Sequence, residues 1–296
     1  MQKSTIVYIK LIVTMAIWGG TFVVGKIITG NLDPFAAGLG RFASASIFLW
    51  LLNSYRKEKL VRLNFKQILL VILLGLSGIL AYNLCFFLGL REITASRAGL
   101  IIALNPICIT IASRIFFQEK LTWLKLIGIL VSLLGAVLII TEGNVKNIIQ
   151  VGISQGELFI LGCVVSWVVY SLIGKLAMRE LPTLTVTTYS IWSGTVFLIP
   201  FAIWENDRLP QINFPVILGL LYLGILATVF AFNWYYAGIR EIGASKAAIF
   251  INLVPMFATI FGTVFLQESL TAIALTGGIL VILGVSLVNK SNFNSQ

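Results

Sequence analysis

Residues 89–98 read GLREITASRA, and residues 238–247 read GIREIGASKA. The two stretches lie 149 residues apart, and most of their positions are identical. The same offset aligns further residues without an insertion: Trp18 with Trp167, Gly25 with Gly174, Lys26 with Lys175, Gly75 with Gly224, Pro106 with Pro255, Glu119 with Glu268, Gly128 with Gly277 and Gly135 with Gly284. Agreement at a single offset indicates that the chain consists of two copies of one unit.

Long apolar runs surround these stretches along the whole chain. Of the 296 residues, 58% are hydrophobic and 11% are charged, and the mean hydropathy is +0.99, far above that of ordinary soluble domains. Runs near the spanning length of about 20 residues occur at 7–28, 35–53, 66–90, 94–117, 122–141, 157–177, 184–204, 214–239, 243–266 and 270–288. Their length and continuity favour helices over barrel strands. The sequence therefore predicts an all-α integral membrane protein with ten transmembrane helices.

The number of spans in each copy determines how the copies are oriented. Five spans per copy is an odd number, so the second copy enters the bilayer from the opposite side. We expect a first five-helix repeat over residues 1–145 and a second, inverted repeat over residues 146–296. Two similar halves related in this way can exchange conformations, which favours alternating access.

The basic residues indicate the orientation of the chain. With the N-terminus inside, roughly two thirds of the 21 Lys and Arg residues fall on the cytoplasmic side. This predicts a multi-pass protein of the cell (plasma) membrane with both termini cytoplasmic. The net charge of +10 then reflects the contact with the lipid bilayer, and no nucleic acid partner is expected, because the basic residues form no single patch.

Short motifs in the first copy carry a family resemblance. Residues 18–22 read WGGTF, and residues 118–122 read QEKLT with two glycines downstream. With the two quoted stretches, they resemble the EamA-like permeases of the drug/metabolite transporter superfamily. The resemblance implies ten helices in two EamA-type repeats and a permease that exports amino acids, related metabolites or amphipathic compounds. The second copy departs from the entry motif, since Val168 replaces the first glycine.

Polar side chains within the spans are the first candidates for a substrate site. They are Tyr82, Asn83, Asn105, Asn233, Tyr236 and Asn252, and Tyr235 lies among them in the second copy. Helix rise places Asn83 and Asn105 at similar depth from the outer face, and Asn233 and Asn252 approach from the inner face. We predict that these amides meet the polar groups of a small-molecule substrate near the midplane. They fit equally well as hydrogen bonds between helices, each worth under about 2 kcal/mol.

Aromatic residues and prolines extend this hypothesis. Trp18, Trp167 and Tyr170 place large amphipathic rings inside the first and sixth spans, where they would form a pocket wall or simply pack. Pro106 and Pro255 occupy equivalent positions in the middle of predicted spans, and each removes a backbone donor. We predict kinked, gating helices there, although membrane helices also tolerate proline for structural reasons.

Charged residues near the span ends have open roles. Lys26 and Lys175 are equivalent in the repeat, and they either line a charged pathway or reach lipid head groups. Glu119 and Glu268 precede Leu-Thr pairs, so we expect them to favour the N-termini of the following helices. Arg41, two turns into the second span, is expected to snorkel to the interface.

Glycines spaced seven apart mark the fifth and tenth spans. They are Gly128, Gly135, Gly277 and Gly284. Small residues at such spacing let helices approach closely, so these faces form either a scaffold within the chain or the interface of a homodimer.

The residue types that are absent from the span centres reduce the number of possible functions. The span centres carry no Asp or Glu and the chain has no His, so no proton acceptor, catalytic acid pair or metal site is expected. Only three cysteines occur, and no phosphate-binding loop motif appears, so we expect no cofactor. The leading prediction is a secondary transporter and not an enzyme. The alternative is a polytopic membrane enzyme acting on lipid or a lipid-linked substrate, and a third reading is a receptor or channel.

Overall fold

The chain folds into helices that follow the apolar runs. The computed structural model describes residues 2–29, 31–55, 61–92, 98, 101–141, 154–204, 212–266 and 271–290, and these residues contain no β-strand. The helices are α1 (Gln2–Thr29), α2 (Pro34–Tyr55), α3 (Phe65–Leu74), α4 (Tyr82–Glu92), α5 (Asn105–Phe117), α6 (Trp123–Thr141), α7 (Gln155–Ala177), α8 (Thr183–Trp204), α9 (Phe214–Leu221), α10 (Ala231–Ile242), α11 (Ala244–Ile249), α12 (Leu253–Leu266) and α13 (Ala272–Lys290). The fold is therefore all-helical over the described residues, as predicted.

Seven helical segments in the described part of the chain are long and apolar enough to cross a membrane. They are Thr5–Gly25, Phe35–Tyr55, Phe65–Phe86, Gln155–Ala177, Thr183–Trp204, Phe214–Ile242 and Ala244–Phe265. Three shorter apolar helices, Asn105–Phe117, Trp123–Ile139 and Ala272–Val288, fall within the remaining predicted spans. Large apolar side chains point outward from these helices, as at Val165, Val196 and Ile279, which are 61%, 62% and 59% exposed. Such a surface suits lipid and not water.

Two spans contain a π-helical segment at the same place in the repeat. Gly75–Ala81 joins α3 to α4, and Tyr222–Phe230 joins α9 to α10. A Cβ on Gly75 would lie 2.6 Å from the Gly194 amide nitrogen, and one on Gly224 would lie 2.6 Å from the Arg41 carbonyl oxygen. Both segments thus lie backbone to backbone against a helix of the other repeat, which only glycine permits.

Glycines also hold α6 against α13. A Cβ on Gly128 would lie 2.8 Å from the Gly284 carbonyl oxygen, and one on Gly135 would lie 2.5 Å from that of Gly277. The reverse contacts are equally tight, at 2.4 Å from Gly284 to Gly128 and 2.7 Å from Gly277 to Gly135. The predicted glycine faces therefore pack on one another within one chain and form its scaffold.

Equivalent residues of the two repeats touch each other. The rings of Trp18 and Trp167 have centroids 5.5 Å apart, and the hydroxyls of Ser46 and Thr195, also separated by 149 residues, lie 3.0 Å apart. A residue meets its own equivalent where an approximate twofold axis relates two copies. The glycine contacts between α6 and α13 are reciprocal in the same way.

Candidate functional site

The centre of the molecule is a group of packed rings, here called the aromatic cluster. It consists of Trp18, Tyr82, Trp167, Tyr170, Phe232, Tyr235 and Tyr236. The Trp167 ring lies in the middle, with centroid distances of 5.5 Å to Tyr82 and 5.7 Å to Phe232. The Tyr170 ring stacks on Tyr236 at 5.0 Å. The structure thus brings five of the predicted pathway residues together: Trp18, Tyr82, Trp167, Tyr170 and Tyr236.

Hydrogen bonds fix the orientation of these rings. The Trp18 indole donates its Nε1–H to the Ala227 carbonyl across the repeats, at 3.0 Å. The Tyr236 hydroxyl donates to the Tyr170 carbonyl at 3.4 Å. Tyr170, Tyr235 and Tyr236 are fully buried, whereas Trp18 and Tyr82 keep accessible surface. The aromatic cluster is therefore open to a ligand at these two residues, and an apolar or aromatic group would find flat ring faces there.

One member of the aromatic cluster, Phe232, was not singled out in the sequence, and Tyr235 was noted beside Asn233 without being assigned to the pathway. With Tyr236 they occupy positions i, i+3 and i+4 of α10, a spacing that places all three on one helix face. This helical spacing of aromatic residues is the feature of the sequence that indicates a shared aromatic face on α10.

The four predicted amides are not gathered at one point by hydrogen bonds in the described residues. Asn83 donates to the Ile79 carbonyl of its own helix, and Asn252 donates to the Ser132 hydroxyl on α6 at 2.7 Å. The Oδ1 atoms of Asn105, Asn233 and Asn252 are buried without a hydrogen-bond partner in the described part of the chain. Asn252 thus provides one of the helix-to-helix bonds that the sequence left open, and the substrate role of the four amides stays a prediction.

Both predicted gating prolines lie in the first turn of a helix. Pro106 follows Asn105, where α5 begins after a turn at residues 103–104, and Pro255 lies near the start of α12 after the 3-10 segment Phe250–Asn252. Proline fits there because the first helical residues have no intrahelical acceptor for their N–H groups. The helical geometry therefore changes just before each proline, at corresponding places in the two repeats, and the gating role of Pro106 and Pro255 stays a prediction.

Arg41 does not snorkel outward. Its guanidinium Nε donates to the Thr228 hydroxyl at 2.8 Å, and its Cζ lies 5.0 Å from the Phe42 ring centroid. Thr228 belongs to the π-helical segment Tyr222–Phe230, next to Ala227, the acceptor of Trp18. Arg41 is thereby held inside the protein beside the aromatic cluster.

A second polar group, here called the Glu119 cluster, joins three separate segments. The Glu119 carboxylate accepts hydrogen bonds from Lys175 Nζ at 2.5 Å, from the Ser245 hydroxyl at 2.6 Å and from the Ala244 amide at 3.2 Å. Lys125 Nζ lies 3.8 Å from the same carboxylate. Glu119 therefore accepts hydrogen bonds from the start of α11 in the second repeat. The sequence had suggested a role at the start of α6, the helix that follows Glu119 in the chain.

Electrostatics keep this carboxylate ionised. Burial raises the pKa of Glu119, but the hydrogen bonds from Lys175 and Ser245 and the charges of Lys175 and Lys125 outweigh it, so the pKa lies below its ordinary value. Lys175 also lies over the Phe117 ring, 4.3 Å from its centroid. The predicted charged residue Lys175 is thus part of a tertiary ion pair and does not reach a head group.

The equivalent positions of the other repeat are Lys26, Ser96 and Glu268. The side chain of Lys26 and the residues Ser96 and Glu268 lie outside the described residues, so the second predicted pathway lysine stays a prediction.

Cysteines and acidic residues do not assemble a metal site in the described residues. Cys85, Cys108 and Cys163 are free, and no group of three or more His, Cys, Asp or Glu side chains converges in the described ranges.

The fold and the site define a helical membrane protein of two repeats. The aromatic cluster and the Glu119 cluster both join segments of the two repeats. The chain belongs to the EamA-like transporter family, whose model matches residues 5–141 and again residues 154–290. The resemblance drawn from the sequence motifs is thereby confirmed.

Individual relatives agree with this assignment. The uncharacterized transporter YyaM of Bacillus subtilis is 30% identical over 96% of this chain and 93% of its own length. An uncharacterized transporter of Archaeoglobus fulgidus is 33% identical over 95% and 96%, respectively. A probable terminal-alkyne amino-acid exporter of Streptantibioticus cattleyicolor is 27% identical over 95% and 92%. A crystal structure with 18% identity matches with a TM-score of 0.83 over 98% of this chain and 99% of that chain, which shows a common fold.

Proposed function

We propose that this protein is a secondary transporter of the cell membrane that exports small organic solutes by alternating access. Its two repeats, residues 1–145 and 146–296, would form ten spans in inverted orientation, with both termini in the cytoplasm. The observation that carries the proposal is the Glu119 cluster, because one carboxylate ties α7 and the start of α11 in the second repeat to the end of α5 in the first. Such a cluster closes one side of the molecule and opens when the ion pair breaks.

The positions of the loops support the inverted topology. Positive-inside orientation predicts cytoplasmic positions for Glu119, Lys175 and Ser245, and these residues are in contact. It also predicts a cytoplasmic Lys66 and Glu180, which form an ion pair at 2.7 Å. On the opposite side it places Asn31 and Asn213, whose side-chain amides lie 3.5 Å apart. Each pair of contacting loops therefore falls on the same side of the membrane under ten spans.

The aromatic cluster supports a substrate site at the centre. It lies where the repeats meet, because Trp18 of the first repeat packs on Trp167 of the second, and its open members accept apolar groups. We infer that the Glu119 cluster closes the predicted cytoplasmic side, so that the substrate would leave toward the outside. Breaking the Glu119 contacts would then admit the next substrate from the cytoplasm.

Amino acids or related metabolites are the proposed substrates. The support is the relative named as a probable terminal-alkyne amino-acid exporter, together with a site in which rings suit the side chain of an amphipathic amino acid. Described span centres offer no acid pair or metal site for chemistry on lipid, so the structure adds no observation in favour of a membrane enzyme.

Reconstituted transport tests the proposal. The purified full chain is placed in liposomes preloaded with one unlabelled amino acid, and uptake of the labelled compound is measured for a panel of amino acids and metabolites. We expect counterflow for at least one amphipathic amino acid, and its loss in Trp167→Ala with retention in the exposed-site control Trp204→Ala. Absence of counterflow across the panel, or equal counterflow in both variants, would reject the proposal.

A further inference from the structure

Arg41 is a buried cation without an acidic partner in the described residues. Its Nε donates to the Thr228 hydroxyl, a neutral group, and its Cζ lies 5.0 Å from the centroid of the Phe42 ring, which is also neutral. No carboxylate of the described ranges forms an ion pair with it, and the Tyr82 phenol is close enough to interact with it. Enclosing a guanidinium in a membrane protein without a counter-ion costs free energy. Such a residue is therefore a candidate for a functional site.

Arg41 is surrounded by protein but is not fully buried. Arg41 and Tyr82 are both deeply enclosed by protein atoms, and both keep accessible surface. Neighbouring residues of one π-helical segment hold Arg41 and Trp18, since Thr228 accepts from Arg41 and Ala227 accepts from Trp18. The guanidinium therefore lies beside the aromatic cluster, next to the residue that orients Trp18.

Within the described part of the chain, most hydrogen-bond donors of Arg41 have no partner. A guanidinium has five N–H donors in a planar fork, and the bond from Nε to Thr228 uses one of them. The remaining donors, on Nη1 and Nη2, match the two oxygens of a carboxylate in a bidentate pair. The bond to Thr228 fixes the plane of the fork, so less side-chain freedom is lost when an anion binds.

We propose that Arg41 binds the carboxylate of the transported solute while the aromatic cluster binds its apolar part. The proposal rests on the transporter function proposed above and restricts its substrates to small amphipathic carboxylic acids, including amino acids. Phosphate has the same fork-binding chemistry, but the flat rings beside Arg41 favour a ligand with a carbon skeleton. Phosphate is therefore included as a separate probe.

Matched ligands test the contact directly. The probes are phenylalanine, leucine and methionine, each with its carboxamide and its decarboxylated amine, together with inorganic phosphate. Binding to the purified full chain is followed by tryptophan fluorescence, since Trp18 and Trp167 lie in the aromatic cluster. We expect at least one carboxylate to bind about tenfold or more tightly than its amide and amine, as the loss of a charge-assisted pair requires, and phosphate to bind no better than the amides.

Variants separate this role from a structural one. Arg41→Gln is expected to bind the carboxylate and the amide equally, and Arg41→Lys to retain an intermediate preference because lysine keeps the charge but not the fork. Ser46→Ala removes a hydroxyl contact with Thr195 between the repeats and serves as the structural control, with an unchanged preference for the carboxylate. If Arg41→Gln does not fold, the role of Arg41 is tested by the carboxylate preference of the wild type and by its change in Arg41→Lys.

The outcomes distinguish the two proposals. Equal binding of carboxylate and amide by the wild type, no binding of any carboxylate, stronger binding of phosphate, or a full preference retained in Arg41→Gln would each overturn the role of Arg41. Counterflow of amines or amides together with any of these results would leave the transporter function standing. Carboxylate preference that depends on Arg41, without counterflow of any compound, would instead support the site and overturn the transporter.

Discussion

The aromatic cluster and the Glu119 cluster both join the two repeats, but they do so in opposite ways. Trp18 and Trp167 are equivalent residues in contact, as the proposed pseudo-twofold axis between the repeats would require. Glu119 contacts Lys175 and Ser245, neither of which is its equivalent, so this contact lies off the axis. Two similar halves can exchange conformations. A contact on the axis can form in both of the resulting states, whereas an off-axis contact favours one of them. Under the proposed mechanism, we expect the aromatic cluster to supply stability and the Glu119 cluster to set the conformational state.

The strongest test of this division is Trp167→Ala. Trp167 is 6% exposed at the centre of the aromatic cluster, so its removal leaves a large cavity, and we expect a loss of about 3–5 kcal/mol in the free energy of unfolding. Thermal unfolding in detergent measures this loss. Trp204→Ala, at a site 87% exposed, is the matched control and is expected to unfold like the wild type. An equal fall in both variants would mean that the rings act only through general hydrophobicity.

A second test uses two adjacent glycines of α13. A Cβ on Gly277 would lie 2.7 Å from the Gly135 carbonyl oxygen, whereas one on Gly278 would lie 3.5 Å from Met256 Cγ, an ordinary contact. We expect Gly277→Ala to lower stability by about 1–3 kcal/mol by forcing α6 and α13 apart. Gly278→Ala is expected to be neutral or slightly stabilising, because alanine favours the helix.

Neither glycine variant is expected to change the conformational state, since the crossing of α6 and α13 is reciprocal. Thiol labelling of a cysteine introduced at Ser171, which is buried in α7, reports the state. Faster labelling in Gly277→Ala than in Gly278→Ala would contradict the division between axial and off-axis contacts.

The repeat offset of the sequence identified the equivalent residues but not their contacts. It paired Trp18 with Trp167 and indicated close-packing glycine faces, and the structure adds that these equivalent residues touch each other within one chain. The amides did not follow from the offset, because the 149-residue offset places Phe232, not an asparagine, opposite Asn83.

The off-axis contacts were not predictable from the sequence. Lys175 and Ser245 lie 56 and 126 residues from Glu119, and only the packed helices bring them to one carboxylate. Arg41 was assigned to the interface because an unpaired cation in a span usually snorkels. Its actual partner, Thr228, becomes available through the π-helical segment, which hydropathy does not reveal.

Glu119→Gln tests the proposed switch. Glutamine keeps one oxygen acceptor but leaves Lys175 and Lys125 without a counter-charge, so we expect a loss of about 1–2 kcal/mol in stability. The diagnostic result is faster labelling of the cysteine at position 171, since the predicted cytoplasmic side opens. Glu180→Gln is the matched control, because the pair of Glu180 with Lys66 is exposed and is expected to contribute nothing measurable. Unchanged labelling in Glu119→Gln would remove the cluster from the mechanism.

The smallest expected effect is the pH dependence of the same contact. Because the pKa of Glu119 is lowered in the folded protein, its contribution to stability is complete above the ordinary carboxylate pKa of 4.5 and is lost as the pH falls through the lowered value. The difference in melting temperature between wild type and Glu119→Gln should stay constant above about pH 5.5 and shrink below about pH 4. Trp167→Ala provides the contrast, since ring packing does not titrate in this range. If the difference in melting temperature instead shrank toward pH 8, a titrating lysine would control the stability of the Glu119 cluster. The Glu119 carboxylate would then not be the group that determines its pH dependence.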